Sequence, residues 1–229
     1  MSTSLIWIIM LLVMVLGFIV QTVLNSRFDR YSAVSVPGGM SGADVARKML
    51  ADNGITDVTV THVRGKLTDH YNPLTKTLNL SDAVYGQCSV AAAAVAAHEC
   101  GHAVQHAMGY GPLKLRSSLV PIVSFANNWV QWILLAGVLL IQTVPSLIWV
   151  GIGLFAMTTL FSLVTLPVEI NASQRAVRWL SSSGITDAST GAMASDALRW
   201  AAYTYVVAAI GSIATLLYYV MIALGGRRR

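Results

Sequence analysis

Residues 89–109 read Ser89-Val90-Ala91-Ala92-Ala93-Ala94-Val95-Ala96-Ala97-His98-Glu99-Cys100-Gly101-His102-Ala103-Val104-Gln105-His106-Ala107-Met108-Gly109. Alanine is the strongest helix former, and a glycine stands where a helix is commonly closed by a left-handed residue, so the stretch predicts an alanine-rich helix from Ser89 to Met108. On such a helix positions i and i+4 lie one turn apart on one face. His98 and His102 can therefore offer both imidazoles to one metal ion, at about 2.0–2.1 Å for zinc. Glu99, one position on, can reach a water at that ion without being a ligand, and can take its proton. Ala97, Gly101 and Ala103 are small enough to let another element approach closely. The chain has five histidines and only two glutamates, Glu99 and Glu169, which makes the pattern specific. The plainer alternative is a helix whose histidines satisfy local hydrogen bonds.

Composition sets the environment of that helix. Of 229 residues, 55% are hydrophobic and 11% charged, against roughly 25% charged in soluble domains. Leu5 to Leu24 is an uncharged apolar run, long enough to cross a bilayer core of about 30 Å at 1.5 Å per residue. Met1-Ser2-Thr3-Ser4 carries no basic side chain where a cleaved signal peptide would want one, so an uncleaved anchor is expected. Three more spans are expected: one including Trp129 to Ile141 and ending near Val144, one from Leu147 to Leu166 after a turn at Pro145-Ser146, and one from about Ala201 to Leu224. Trp129, Trp132, Trp149 and Trp200 stand near their ends, as interfacial anchors do.

Four spans put residues 25–117 and 167–200 on one side of the membrane. Arg27, Arg30, Lys114, Arg116, Arg175, Arg178 and Arg199 flank the spans on that side, against Arg227, Arg228 and Arg229 on the other. The positive-inside rule then assigns the polar regions to the cytoplasm. The net charge of +5 follows the span ends and forms no nucleic-acid stripe. Two cysteines, Cys88 and Cys100, make no disulfide framework.

The first polar region reads as a small α+β unit. Ser41 to Asp52 has helical spacing of Val45, Ala46, Met49 and Leu50, with Ser41 as N-cap and Gly54 just past the end. Asp57 to Val63 alternates like a half-buried strand. Thr75 to Leu80 reads as a second strand, with turn signals at Gly65 and Asn72-Pro73. Asp69-His70-Tyr71-Asn72-Pro73 is either a plain hairpin turn or the approach to an edge, formed by the Thr75–Leu80 strand, to which an extended substrate could add. In the second case His70, Tyr71 and Tyr85 are candidates to stabilise an oxyanion.

A catalytic zinc site takes three protein ligands. His106 lies about 12 Å along the helix from His98, too far for one ion, and is expected to be structural or orienting. Glu169 is the better candidate, because a carboxylate so close to an apolar span is costly unless paired or metal-bound; the alternative is an ion pair with Arg175 or Arg178.

His98-Glu99-Cys100-Gly101-His102-Ala103-Val104-Gln105-His106 resembles the YugP-type family of bacterial membrane zinc metallopeptidases. So do Leu67-Thr68-Asp69-His70-Tyr71-Asn72-Pro73, Leu78-Asn79-Leu80-Ser81, Leu166-Pro167-Val168-Glu169-Ile170-Asn171-Ala172-Ser173-Gln174-Arg175-Ala176 and Ala202-Tyr203-Thr204-Tyr205-Val206. The resemblance implies a neutral zinc peptidase with Glu169 as third ligand. A more distant likeness is to the membrane gluzincins related to HtpX and the CAAX prenyl endopeptidases. In those an aspartate four residues beyond the ligand glutamate orients a zinc-bound histidine; here that position is Ser173, with Asn171 the nearest polar alternative.

The expectation is a mainly α protein with a small α+β part, four spans and a gluzincin-like zinc peptidase unit. Residues 1–25 form an anchor, 26–117 the peptidase region with the histidine helix, 118–166 a transmembrane hairpin, 167–200 a helical region carrying Glu169, and 201–229 the last span and basic tail. His98, His102 and Glu169 hold one zinc per chain, Glu99 is the catalytic base, and the substrate is a membrane-associated polypeptide cleaved at the cytoplasmic face of the plasma membrane. The competing readings are an intramembrane protease and a zinc-stabilised membrane scaffold or adaptor without turnover.

Overall fold

The computed structural model describes residues 3–65 and 67–225; the Arg227–Arg229 tail used in the charge argument lies outside the described residues. In chain order the elements are α1 (Thr3–Ser32), α2 (Gly42–Asp52), β1 (Thr59–His62), β2 (His70–Asn72), β3 (Thr77–Leu80), α3 (Val90–Ala107), α4 (Gly111–Leu139), α5 (Pro145–Ser182) and α6 (Ala188–Gly225). The chain divides into two compact units, one of Val20–Lys114 and Pro167–Tyr203, the other of Met1–Ile19, Leu115–Leu166 and Thr204–Arg229.

In the second of these units every element is an apolar helix. α1, α4, α5 and α6 are each long and apolar enough to cross a membrane, as the four expected spans require. Gly137 and Gly151 bring α4 and α5 together: a β-carbon on Gly137 would stand 2.7 Å from Ile148 Cα, and one on Gly151 would stand 2.7 Å from a Leu134 methyl. Val130, Leu134, Ile148, Ile152 and Ala223 form the core. Phe18 is 73% exposed, with Leu12, Met14 and Trp132 each above 60%. So much bare apolar surface is stable only against lipid, and the protein is a multi-pass membrane protein.

The loop between α4 and α5 differs from the sequence reading. The turn occupies residues 140–143, and Pro145 is the first residue of α5. A proline suits that position, since its missing N–H has no helical partner to lose and its φ is already helical. α5 also continues through Pro167 to Ser182 without ending at the border of its apolar run.

The other unit is built from local signals that the sequence displays. Ser41 caps α2 by accepting from Asp44 N–H, while Asp44 accepts from Ser41 N–H in return. Val45, Ala46, Met49 and Leu50 turn inward, and Gly54 closes the helix with a left-handed φ of 68°. Ser89 caps α3 through Ala92 N–H, and Gly109 follows with φ 65°. The core joins Phe28 and Tyr31 of α1, α2, the sheet, α3, Ala176 and Leu180 of α5, and Ala194, Ala197 and Leu198 of α6.

The sheet corrects the sequence reading. His70–Asn72, taken there as turn or approach, is a strand, and the strand order is β1-β3-β2. β3 is central, parallel to β1 and antiparallel to β2, so the edge is β2 and not the Thr75–Leu80 strand. The turn falls at residues 73–76, where Asn72 Oδ1 accepts from Leu74 N–H and Thr75 N–H. A three-residue strand has too short a pattern to declare itself.

α3 and α5 meet at Gly101. A β-carbon there would lie 2.7 Å from Ala172 O and 3.0 Å from Ala172 Cα, backbone atoms that cannot rotate away. Gly101→Ala is expected to destabilise the protein by about 1–3 kcal/mol through overpacking, outweighing a helix-propensity gain of about 1 kcal/mol. A lower thermal midpoint in detergent is the check; an unchanged midpoint contradicts the close approach.

Candidate metal centre

His98 and His102 lie on the face of α3 that meets α5, and Glu169 stands one turn before Ala172 on α5. The ligand atoms of these three residues lie within 4.8 Å of one another. Glu169 Oε2 is 3.2 Å from His98 Nε2 and 3.5 Å from His102 Nε2. In a tetrahedral site with bonds of about 2.0–2.1 Å, neighbouring ligand atoms are about 3.3–3.4 Å apart, so the two edges at Glu169 fit zinc. Glu169 is 3% exposed, and Arg175 donates instead to Asn171 Oδ1 at 2.8 Å. The carboxylate therefore belongs with the imidazoles, and the ion pair with Arg175 considered from sequence is not made.

The rest of each ring is held by a partner. His102 Nδ1 is 3.1 Å from Gln105 Oε1, while Gln105 Nε2 donates to Val168 O at 2.8 Å and to Asn171 Oδ1 at 3.0 Å. With the amide nitrogen so engaged, Oε1 must accept, which places the proton of a neutral His102 on Nδ1 and leaves Nε2 bare towards Glu169. His98 Nδ1 lies 3.1 Å from Ser173 Oγ, and the same tautomer serves there. Both positions left open in sequence are thus occupied: Ser173 orients His98, and Asn171 acts on His102 through Gln105. The sequence reading assigns Gln105 no role of its own. Its signal was its place, three residues after His102 on a buried helix face, where an amide must find partners.

Burial pushes the His102 imidazole towards its neutral form, but the Glu169 and Glu99 carboxylates outweigh it and raise its pKa above the usual 6.5. Burial, with Glu99 beside it, holds the Cys100 thiol well above its ordinary range, and its Sγ contacts Ala46 O. Cys100 is a core residue and no thiolate ligand.

Glu99 is directed to the sheet. Its Oε2 accepts from Tyr71 N–H at 3.1 Å, so the middle of β2 turns a main-chain group towards the carboxylate. Tyr71 OH is 2.9 Å from His106 Nδ1. His106 is exposed and pairs with Tyr71. Of the three oxyanion candidates only Tyr71 reaches Glu99. His70 is tied to Thr68 O and Asn79, and Tyr85 to Arg47.

Replacing Gln105 with methionine keeps its bulk and removes both the acceptor for His102 and the donor to α5. Zinc affinity, read by competition with a chelator, is expected to fall about 10–100-fold, the usual effect of losing such a partner. Unchanged affinity would show that the amide does not orient the ring.

A family model described as "Putative neutral zinc metallopeptidase" matches residues 6–224. The "Putative membrane protease YugP" of Bacillus subtilis (strain 168) is 44% identical over 212 residues, covering 93% of each chain. No solved structure matches the chain. Both matches take in the helix of His98 and the distant Glu169, and on them the chain belongs to the family of that description.

Proposed function

We propose that this protein is a zinc metalloendopeptidase that cleaves membrane-associated polypeptides at the cytoplasmic surface of the plasma membrane. It holds one zinc per chain on His98, His102 and Glu169. The observation that carries the reading is the meeting of two Nε2 atoms with one carboxylate oxygen at the edge lengths of a zinc tetrahedron, with a second carboxylate, Glu99, one residue from His98.

Zinc in such a site polarises a carbonyl and acidifies a water. The remaining work falls to the chain. Ser173 and Gln105 keep both imidazoles turned Nε2-inward. Tyr71 N–H fixes one oxygen of Glu99, which orients that carboxylate as general base to receive a proton and pass it to the leaving amine. β2 forms the edge of the sheet beside Glu99, where an extended polypeptide can align by main-chain hydrogen bonds.

The family description and the relative's name support peptide hydrolysis at a membrane. The cytoplasmic side rests on Arg27, Arg30, Lys114, Arg116, Arg175, Arg178 and Arg199 beside the spans.

Two experiments test this reading. Purified Glu99→Ala is expected to keep about one zinc per chain and to lose peptide cleavage by about 10²–10⁴-fold. Undiminished proteolysis overturns the mechanism, and full rescue of a deletion strain by this variant favours a scaffold. For sidedness, Cys88 is exposed and Cys100 buried. A membrane-impermeant thiol reagent should label Cys88 only after the cells are opened; labelling on intact cells places the site outside.

A further inference from the structure

The face of α3 that carries His98 and His102 does not end at the metal centre. Ala91, Ala94 and Val95 precede His98 by seven, four and three residues, the spacing of one helix face. All three line an apolar hollow with a volume of about 120 Å³. Leu24, Phe28 and the polar Asn25 and Asp29 of α1 and Ala197, Leu198 and Ala201 of α6 close its other sides, Leu67 borders it from the loop before β2, and the exposed lining is almost entirely apolar. A void of about 150 Å³ with apolar walls accepts a benzene ring; at about 120 Å³ this hollow is slightly smaller and takes one apolar side chain at most.

Position decides what fills it. Ala94 and Ala91 lie about 6 and 10 Å along the helix from His98 at 1.5 Å per residue. An extended chain advances about 3.3 Å per residue, so a peptide held with its scissile bond at the metal centre reaches the hollow with a side chain two or three residues away. We infer that the hollow is a specificity pocket for a large apolar side chain of the substrate. The inference rests on the peptidase reading and adds to it a substrate class: segments carrying leucine or an aromatic residue close to the cleaved bond, as membrane-derived polypeptides do. Leu67 has the features of an adjustable wall. It is 61% exposed and holds a left-handed φ of 59°, a conformation that strains a non-glycine residue.

Two variants test the pocket without touching the metal centre. Ala201→Leu fills it from α6, and Leu67→Ala removes an exposed wall that the fold does not need. Full-length protein in detergent is assayed on quenched-fluorescence peptides that differ only by alanine, leucine or phenylalanine at each of the three positions on either side of the scissile bond. At one position the wild type should prefer leucine or phenylalanine over alanine by about 10–200-fold in kcat/KM, the range for an apolar pocket. Ala201→Leu should reduce that preference to about twofold by slowing the large-residue peptides far more than the alanine peptide, and Leu67→Ala should weaken it in the same direction. The pocket is refuted if the preference survives in both variants, or if all peptides slow equally, which would assign the hollow to a lipid acyl chain. Cleavage without any preference in the wild type refutes it as well. Absence of all cleavage by the wild type instead overturns the peptidase reading, and the pocket with it.

Discussion

The carbonyl oxygen of Ala172 lies 2.7 Å from where a β-carbon on residue 101 would stand, and that backbone approach fixes the separation of α3 from α5. Gly101 sits between His98 and His102, and Ala172 lies one turn beyond Glu169, so the contact sets the distance between the two histidines and the glutamate. Backbone atoms make a stiffer spacer than side chains, which change rotamer readily. A site whose ligands must stand about 3.3 Å apart needs that stiffness.

Separation alone does not orient an imidazole. Gln105 supplies the missing constraint on His102 by using both ends of its amide, accepting with Oε1 and donating with Nε2 to α5. Leaving such a group buried without partners costs about 1–3 kcal/mol, so the amide stabilises the helix contact and aims the ring in one act. Asn171 extends the chain of bonds to Arg175. Ser173 does the corresponding work for His98 from the same helix as Glu169. α5 thus carries Glu169, the Ser173 that meets His98 and the partners of Gln105, and its register on α3 matters as much as its distance.

What the sequence displayed was whatever depends on neighbours in the chain. The histidine helix, the capping of α2, the closing glycines Gly54 and Gly109 and the four apolar spans are all local patterns, and each has its counterpart in the structure. Glu169 was visible for a different reason: a lone carboxylate next to an apolar run needs a partner, and few were available. The strand order was not visible, because pairing β1 directly with β3, skipping β2 in the chain, is a choice among separate segments that no periodicity encodes. Gln105 was missed on the same ground. Its partners Val168 and Asn171 are more than 60 residues away, so a buried amide on α3 looks like any other helix residue until α5 is placed against it.

α5 raises one more point about assembly. Proline inside a helix removes one hydrogen bond and costs about 3 kcal/mol or more where nothing compensates, yet α5 runs on through Pro167 and presents Glu169 two residues later. The residues before Pro167 are the apolar run that needs lipid, and those after it need α3. The residues after the proline are the ones that meet α3 at Gly101. Buried among apolar neighbours such as Val168 and Ala172 without the two imidazoles, Glu169 would be a costly unpaired carboxylate. Glu169 thus stands on a helix long and apolar enough to span, and not on the short helix of His98 and His102, so the three side chains meet only when α5 is set against α3.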